Sequence, residues 1–382
     1  MNGIIFHSVD PSNSKSSYKE TDTLDFILAN DASRDLLLNK QYGVRIEGKI
    51  RCNESGVIRQ TESEVVFFDN LVAIHSVCES VATEFQNVGQ IELINEYSRM
   101  HKAEQAATKS LDDMNNASQQ VELKSTTNEA SRQYCKGFYT LDPSTGTAVS
   151  DGTDDNIRDM DFSFKPSIAL NHCSGNVPFS KSGFIKISIN LGRDVNFFAG
   201  VGHTVANNYV LTEMRCSYYT VPANPNPPQV FMRRMLNIKT SLNSAHANLS
   251  ARVPATCSAM FVNFQPSNNE NSIVVNNNQL HSIPNLNYIQ FEFGSSTSQY
   301  ISYKLEDRGD QLQKFLEAMG SMGHNNVSAE KWKENNTFGL GLNFQSPVDL
   351  SNSKFNLELD SSFDFSTNPY VAYLYFVSEV SL

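Results

Sequence analysis

In the stretch Tyr42-Gly43-Val44-Arg45-Ile46-Glu47-Gly48-Lys49-Ile50-Arg51-Cys52, apolar Val44, Ile46, Ile50 and Cys52 alternate with charged Arg45, Glu47, Lys49 and Arg51. A period of two places the first set on one face of an extended segment and the second on the other, so the stretch reads as a strand with one wet side. Gly43, Gly48 and Lys49 also have the spacing of a phosphate-binding loop. That chemistry needs Ser or Thr after the lysine to hold magnesium, and a loop that runs into a helix. Here Ile50 follows and the pattern is that of a strand, so nucleotide binding is not expected.

The same alternation recurs along the chain. Ile185, Ile187, Ile189 and Leu191 share one face, as do Val210, Thr212, Met214, Cys216 and Tyr218, with Glu213 and Arg215 expected outward. Ile289, Phe291 and Phe293 follow, then Leu340, Leu342 and Phe344, then Phe355, Leu357 and Leu359. Tyr370 to Val377 is continuously apolar and reads as a strand buried on both faces. Two stretches switch to helical spacing. Leu93, Tyr97, Met100, Ala107, Leu111 and Met114 point to one or two helices between about 92 and 120. Asp310 stands as an N-cap, Leu312, Phe315, Leu316 and Met319 line one face, and Gly320 closes a helix over about 310–320.

Between the halves lies Pro222-Ala223-Asn224-Pro225-Asn226-Pro227-Pro228. Proline lacks the N–H that a sheet ladder uses, so this segment reads as an extended linker. The expected organisation is an N-terminal arm over 1–20, a β-sandwich over 21–221 with the helical insertion, a linker over 222–229, and a second β-sandwich over 230–382. Many antiparallel strands joined by long polar loops suggest sandwiches of the jelly-roll type, an all-β chain with short helical insertions. Ser110–Thr153 and Pro266–His281, rich in Asn, Ser and Thr, are expected to be exposed loops.

Composition excludes several functions. The net charge is −11, and Lys15 and Lys19 are balanced by Asp10 and Glu20 in the leading arm, so no basic stripe for nucleic acid is visible. Cys52, Cys78, Cys135, Cys173, Cys216 and Cys257 are widely spaced and are expected to be free thiols in a reducing compartment. Gly3-Ile4-Ile5-Phe6 is too short for the core of a secretory signal, and no apolar run reaches the length of a membrane span. Gly339-Leu340-Gly341 lacks the third glycine of a dinucleotide site and reads as glycines in a strand that let a neighbour approach closely. Adjacent His172 and Cys173 have no second ligand pair nearby, and His75, His203 and His246 are read as loop or edge residues. No catalytic, cofactor-binding or metal-ligating residue is assigned.

Four segments resemble the double jelly-roll major capsid proteins of the adenovirus–tectivirus lineage, a group that includes virophage, polinton and adintovirus capsid proteins. Gln41–Cys52 resembles the early strand of the first jelly roll. Asn70–Val77, followed by Val81–Asn87 and then Asn95-Glu96-Tyr97, resembles the family's stretch leading into a tyrosine-containing helix. Val210–Tyr219 resembles the strand that closes the first jelly roll. Gly341–Phe344, Phe355–Leu359 and Tyr373–Phe376 resemble the family's ending. The resemblance implies two upright β-sandwiches per chain, a homotrimer with a pseudo-hexagonal outline, and packing of such tiles into an icosahedral shell. It also implies neighbouring capsomers as partners, and minor or penton proteins or an internal membrane, with no enzymatic activity, no sequence-specific contact with nucleic acid, and residence in the virion after assembly inside the host cell. The helical segment near 92–120 is expected at the trimer interface or on the outer rim. The competing reading is a β-sandwich module that binds a receptor or carbohydrate.

Overall fold

The period-two segments all become strands, and their order in the sheets decides the architecture. The computed structural model describes residues 3–28, 31–39, 41–52, 67–69, 71–108, 121–123, 134–137, 159–193, 209–244, 246–252, 256–270, 272, 275, 277–294, 301–320, 332, 338–349 and 354–382. In the first half lie β1 (Ile5–Val9), β2 (Ser17–Tyr18), β3 (Thr23–Leu28), β4 (Arg34–Leu36), β5 (Arg45–Cys52), β6 (Phe67–Asp69), β7 (Cys78–Phe85), β8 (Gly89–Asn95), β9 (Tyr134–Gly137), β10 (Met160–Phe164), β11 (Val177–Pro178), β12 (Ile185–Leu191) and β13 (Tyr209–Pro222). Among the described residues β6 and β9 pair only with each other. The rest fill eight strand positions, because β1 and β2 both lie along one side of β13, β4 and β5 along its other side, and β11 and β10 beyond them. Numbered along the chain, one sheet runs 1-8-3-6 and the other, β3-β12-β7-β8, runs 2-7-4-5.

The second half repeats this winding. Its strands are β14 (Phe231–Leu242), β15 (His246–Arg252), β16 (Thr256–Pro266), β17 (Leu286–Gly294), β18 (Ile301–Leu305), β19 (Leu340–Asp349), β20 (Lys354–Ser361) and β21 (Tyr370–Ser381). The orders β14-β21-β16-β19 and β15-β20-β17-β18 are again 1-8-3-6 and 2-7-4-5. Antiparallel strands that alternate in this way between two facing sheets make a jelly roll. The chain therefore carries two, one after the other. One sheet of each is shared: a single parallel bridge, Leu93 to Leu236, joins β8 to β14 and makes one sheet of eight strands.

Alternation sets the core. Val44 just before β5 and Ile46 and Ile50 on it are buried, as are Ile185, Ile187, Ile189 and Leu191 on β12 and Ile289, Phe291 and Phe293 on β17. Tyr370–Val377 is buried without interruption, as expected of a strand covered on both faces. Cys78, Cys216 and Cys257 are buried thiols within strands and Cys173 is a half-buried one. The side chains of Cys52, Cys135, Phe355 and Leu357 lie outside the described residues.

Several expectations are corrected. On β13 the buried set is Tyr209 and Leu211, then Met214, Cys216 and Tyr218, so Val210 and Thr212 do not share the inner face. The cause is a bulge: Glu213 has φ +53°, and the register with β5 shifts between Thr212 and Arg215. One extra residue flips the faces on either side of it. Gly48 stands opposite this bulge, and a side chain there would collide with the Met214 sulfur. Residues 1–20, set apart above as an arm, contain β1 and β2, which are sheet strands on β13.

The first helix, α1 (Tyr97–Thr108), starts later than expected, because Leu93 belongs to β8. The expected continuation to 120 falls outside the described residues. The second helix, α2 (Arg308–Gly320), begins before Asp310. Asp307 caps it instead, with its Oδ1 accepting the Gly309 N–H at 2.6 Å, and Gly320 is still helical. Pro266–His281 is not simply exposed, since Asn277, Asn278 and Leu280 are buried. The Gln265 amide donates to Asn277 Oδ1 at 3.1 Å, and Asn278 donates to Ser76 Oγ in the first sandwich at 3.3 Å. Most of Ser110–Thr153 lies outside the described residues.

α2 packs on β19 and β16, and glycine makes this possible. A Cβ on Gly341 would stand 2.7 Å from Ala318 Cβ and 2.8 Å from the Met260 carbonyl oxygen. Gly341→Ala is expected to lower stability by about 1–3 kcal/mol through overpacking. A urea melt would show this as a lower midpoint with an unchanged slope.

Candidate functional site at the junction of the two sandwiches

The feature that sets this chain apart from two independent sandwiches is α1. It leaves the end of β8 through Glu96, whose φ of +50° turns the strand into the helix. Apart from half-buried Ala106, every residue from Tyr97 to Ala107 is buried, including Arg99, His101, Lys102, Glu104 and Gln105. The helix lies against β7 and the 3₁₀ turn Ala73–Val77 of the first sandwich, and reaches β14 and β21 of the second. It is thus enclosed within one chain and does not form an outer rim. Polar groups buried in such a place need partners.

The polar side chains of α1 tie it to several segments. Lys102 Nζ meets Asp69 Oδ2 at 2.5 Å, with both side chains fully buried. Asp69 Oδ1 accepts the Leu71 and Val72 N–H groups at 2.9 and 3.3 Å. Burial pulls the Lys102 ammonium below its ordinary range, and the Asp69 charge pulls it back. The Tyr97 hydroxyl accepts the Ser167 N–H at 2.8 Å and lies 2.9 Å from His75 Nδ1. His101 Nδ1 meets Ser167 Oγ at 2.9 Å, and the His75 and His101 rings stack with centroids 3.6 Å apart. The sequence expectation that His75 lies in a loop or at an edge is corrected: it is fully buried, in a 3₁₀ turn roofed by α1. The side chain of His246 and all of His203 fall outside the described residues.

A third cluster spans the sandwiches. Glu104 Oε1 lies 3.3 Å from Arg233 Nη2 on β14 and 3.2 Å from His172 Nε2. Arg233 Nη2 is 2.8 Å from His172 Nδ1. A guanidinium only donates, so Nδ1 accepts and the imidazole is neutral. Burial, with Arg233 next to it, holds His172 down at about 4. At the outer edge, Lys239 bridges Glu96 at 3.1 Å and Glu270 at 2.7 Å, Tyr373 donates to Glu270 at 2.5 Å, and Arg99 lies over the Tyr373 ring at 4.6 Å. On β8, Glu92 Oε1 accepts from Thr83 Oγ1 at 3.1 Å and from the Ala169 N–H at 2.5 Å. Burial pushes its carboxyl up to about 7.

Chemically this is a clamp. It fixes two sandwiches side by side through directional charged contacts between groups far apart in sequence. Among the described residues no cluster of three or more His, Cys, Asp or Glu side chains is placed to hold a metal ion, and no helix is long and apolar enough to cross a membrane. An open hollow lies on the outer face of the first sandwich, lined by Glu47, Lys49, Asp161, Glu213 and Arg215 with Phe162. Phe162 is buried, so the hollow offers no exposed ring as a platform for a sugar.

No family model and no curated protein matches the sequence. Solved structures do match, over the whole chain. The Faustovirus major capsid protein aligns with a TM-score of 0.61 at 9% identity, covering 100% of this chain and 90% of that one. PBCV-1 VP54, fitted into a reconstruction of the virophage Sputnik, aligns with a TM-score of 0.58 at 8% identity, covering 100% and 95%. A chain of the Sputnik virophage structure aligns with a TM-score of 0.56 at 11% identity, covering 100% and 86%. Identity at this level speaks for the fold alone, and with both windings traced strand by strand it is decisive there: the chain has the double jelly-roll fold of viral major capsid proteins.

Proposed function

We propose that this chain is a major capsid protein, a structural and non-enzymatic component of the virion that forms pseudo-hexagonal homotrimers and, from them, an icosahedral shell. The observation that carries the reading is the duplicated winding with its clamp. Two jelly rolls of equal strand order are locked side by side by α1 and share an eight-stranded sheet. A binding module needs one sandwich and a receptive loop set. A tile needs two similar blocks held in a fixed mutual angle, which is what the clamp supplies.

The strands β1 to β13 serve as the first block and β14 to β21 as the second, with the proline-rich segment between Pro222 and Phe231 as their linker. The partners are other copies of the chain, then neighbouring capsomers and minor or penton proteins. The receptor- or carbohydrate-binding alternative is not favoured: among the described residues, the exposed Phe6, Phe231 and Tyr303 sit on three different strands.

Light scattering on the eluate of a size-exclusion column tests the reading. Three chains of 42.6 kDa give a particle of about 128 kDa, the expected result for a closed three-chain ring. A protein that stays monomeric at high concentration would overturn it. Hexagonal plates in negative stain would support it independently.

A further inference from the structure

We infer that the cavity at the outer edge of the clamp is a binding site for a free tetrahedral oxyanion of the inorganic phosphate type, held between the two sandwiches. The site goes beyond the proposed assembly and does not depend on it.

The cavity has a volume of about 100 Å³ and takes its walls from both halves of the chain. Ser98 and Arg99 in the first turn of α1, with Arg193 after β12, form one side, and Lys239 on β14 with Asn277 forms the other. A water molecule occupies about 30 Å³ in the liquid, so the space suits one small ion and little more.

Arg99 is the anchor. Its side chain is only 7% exposed, and its Nη1 has no hydrogen-bond partner among the described residues. Glu96 Oε2 lies 3.6 Å from Nε, too far for a hydrogen bond. The guanidinium lies over the Tyr373 ring, 4.6 Å from its centroid. The N–H groups of a guanidinium lie in its own plane, so a ring facing it leaves Nη1 unserved. A buried charged donor without a partner is costly, and arginine has no acceptor of its own, so what completes this site is an acceptor.

The surroundings favour an anion over water as that acceptor. The first N–H groups of α1 have no acceptor within the helix and carry the positive end of its dipole. Arg193 and Lys239 add two cations from opposite walls. The carboxylates nearby are largely engaged. Glu96 and Glu270 hold Lys239 at 3.1 and 2.7 Å, and Glu270 also accepts from the Tyr373 hydroxyl at 2.5 Å. Glu79 is exposed, where water and salt screen its charge. Donors on facing walls are served by an ion with oxygens on every side, which a planar carboxylate lacks. Arg99 belongs to the first sandwich and Lys239 to the second, so the bound ion is one more tie across the seam and stabilises the joined state by mass action.

Equilibrium dialysis of the whole chain against radiolabelled inorganic phosphate, at constant ionic strength in sodium chloride, tests the site. The expected result is saturable binding of one phosphate per chain, weakened at least about tenfold in Arg99→Met. Arg193→Gln changes an exposed side chain and is expected to weaken binding by about threefold. Thermal melting gives a second readout. Phosphate is expected to raise the wild-type midpoint along a saturating curve, and to leave Arg99→Met with only the gradual rise that any excluded salt produces. Absence of saturable binding up to about 10 mM phosphate overturns the inference, and so does an affinity that survives Arg99→Met. If Arg99→Met does not fold, Arg193→Gln decides, and an unchanged affinity there counts against the site. Glycerol phosphate carries the same charged group on a larger body. It is expected to bind at least about tenfold more weakly than phosphate, and equal affinity for the two would overturn the assignment to a free ion.

Discussion

Replacing Lys102 with methionine is expected to lower the free energy of unfolding by about 3–5 kcal/mol. Lys102 and Asp69 are both fully buried and 2.5 Å apart. Methionine keeps most of the side-chain volume, so the loss is not one of packing. It comes from stranding the Asp69 carboxylate in a site of low dielectric, where the Leu71 and Val72 amides soften the charge but do not neutralise it. The double variant Asp69→Asn/Lys102→Met removes both charges. It is expected to recover most of the loss, because an ion pair that had to be desolvated contributes little net stability over a neutral substitute. Urea denaturation of the four proteins completes the cycle. A single variant costing under about 1 kcal/mol, or a double variant costing the sum of the singles, would show that the pair is solvated in a way its burial does not suggest. The same variant should also loosen the seat of α1 on the first sandwich, seen as faster amide exchange in the 3₁₀ turn Ala73–Val77.

The sequence discloses the strands and withholds the clamp, for physical reasons that particular residues make plain. Period-two patterning survives wherever one face of a strand is wet, as on β5 and β12, and unbroken hydrophobicity marks β21. The pattern fails on β13 because a bulge adds a residue there, and Glu213 in the left-handed region carries no mark in the sequence that would give it away. Leu93 fits a helical spacing with Tyr97 and Met100 by accident of separation, although it sits on a strand edge. The buried network is the least legible part. Asp69 meets Lys102, and Glu104 meets both His172 and Arg233, only after the chain has wound through the sandwiches. No spacing rule connects such positions, and charged residues on a helix ordinarily signal a solvated face. The Asn-rich segment before His281 misleads in the same way: polar composition predicts exposure, yet Asn277 and Asn278 are inside because Gln265 and Ser76 receive them.

Glu92 gives the chain a built-in pH dependence that a single substitution should expose. Burial raises its carboxyl from the ordinary 4.5 to about 7, even though the Ala169 N–H and the Thr83 hydroxyl favour the charged form. The folded protein therefore binds this proton more tightly than the unfolded chain. Stability from this group falls as pH rises from about 4.5 to about 7, and the full penalty, about 3 kcal/mol, remains above that. His172 and His281 act in the opposite sense. Burial lowers both to about 4 from 6.5, so they favour the folded state above 6.5 and withdraw that support as pH falls towards 4. In the wild type, protonation of Glu92 partly offsets the two histidines on the acid side. Glu92→Gln has no proton to gain. Any loss of hydrogen-bond geometry in the variant is independent of pH, so it cancels when the difference from wild type is followed across pH. That difference is expected to move in the variant's favour by about 3 kcal/mol between pH 5 and pH 8, and the variant should lose stability more steeply in acid. Urea midpoints measured at intervals over this range decide it. Parallel curves for the two proteins would mean that water reaches Glu92 and that the seam between the sandwiches is wetter than its burial implies.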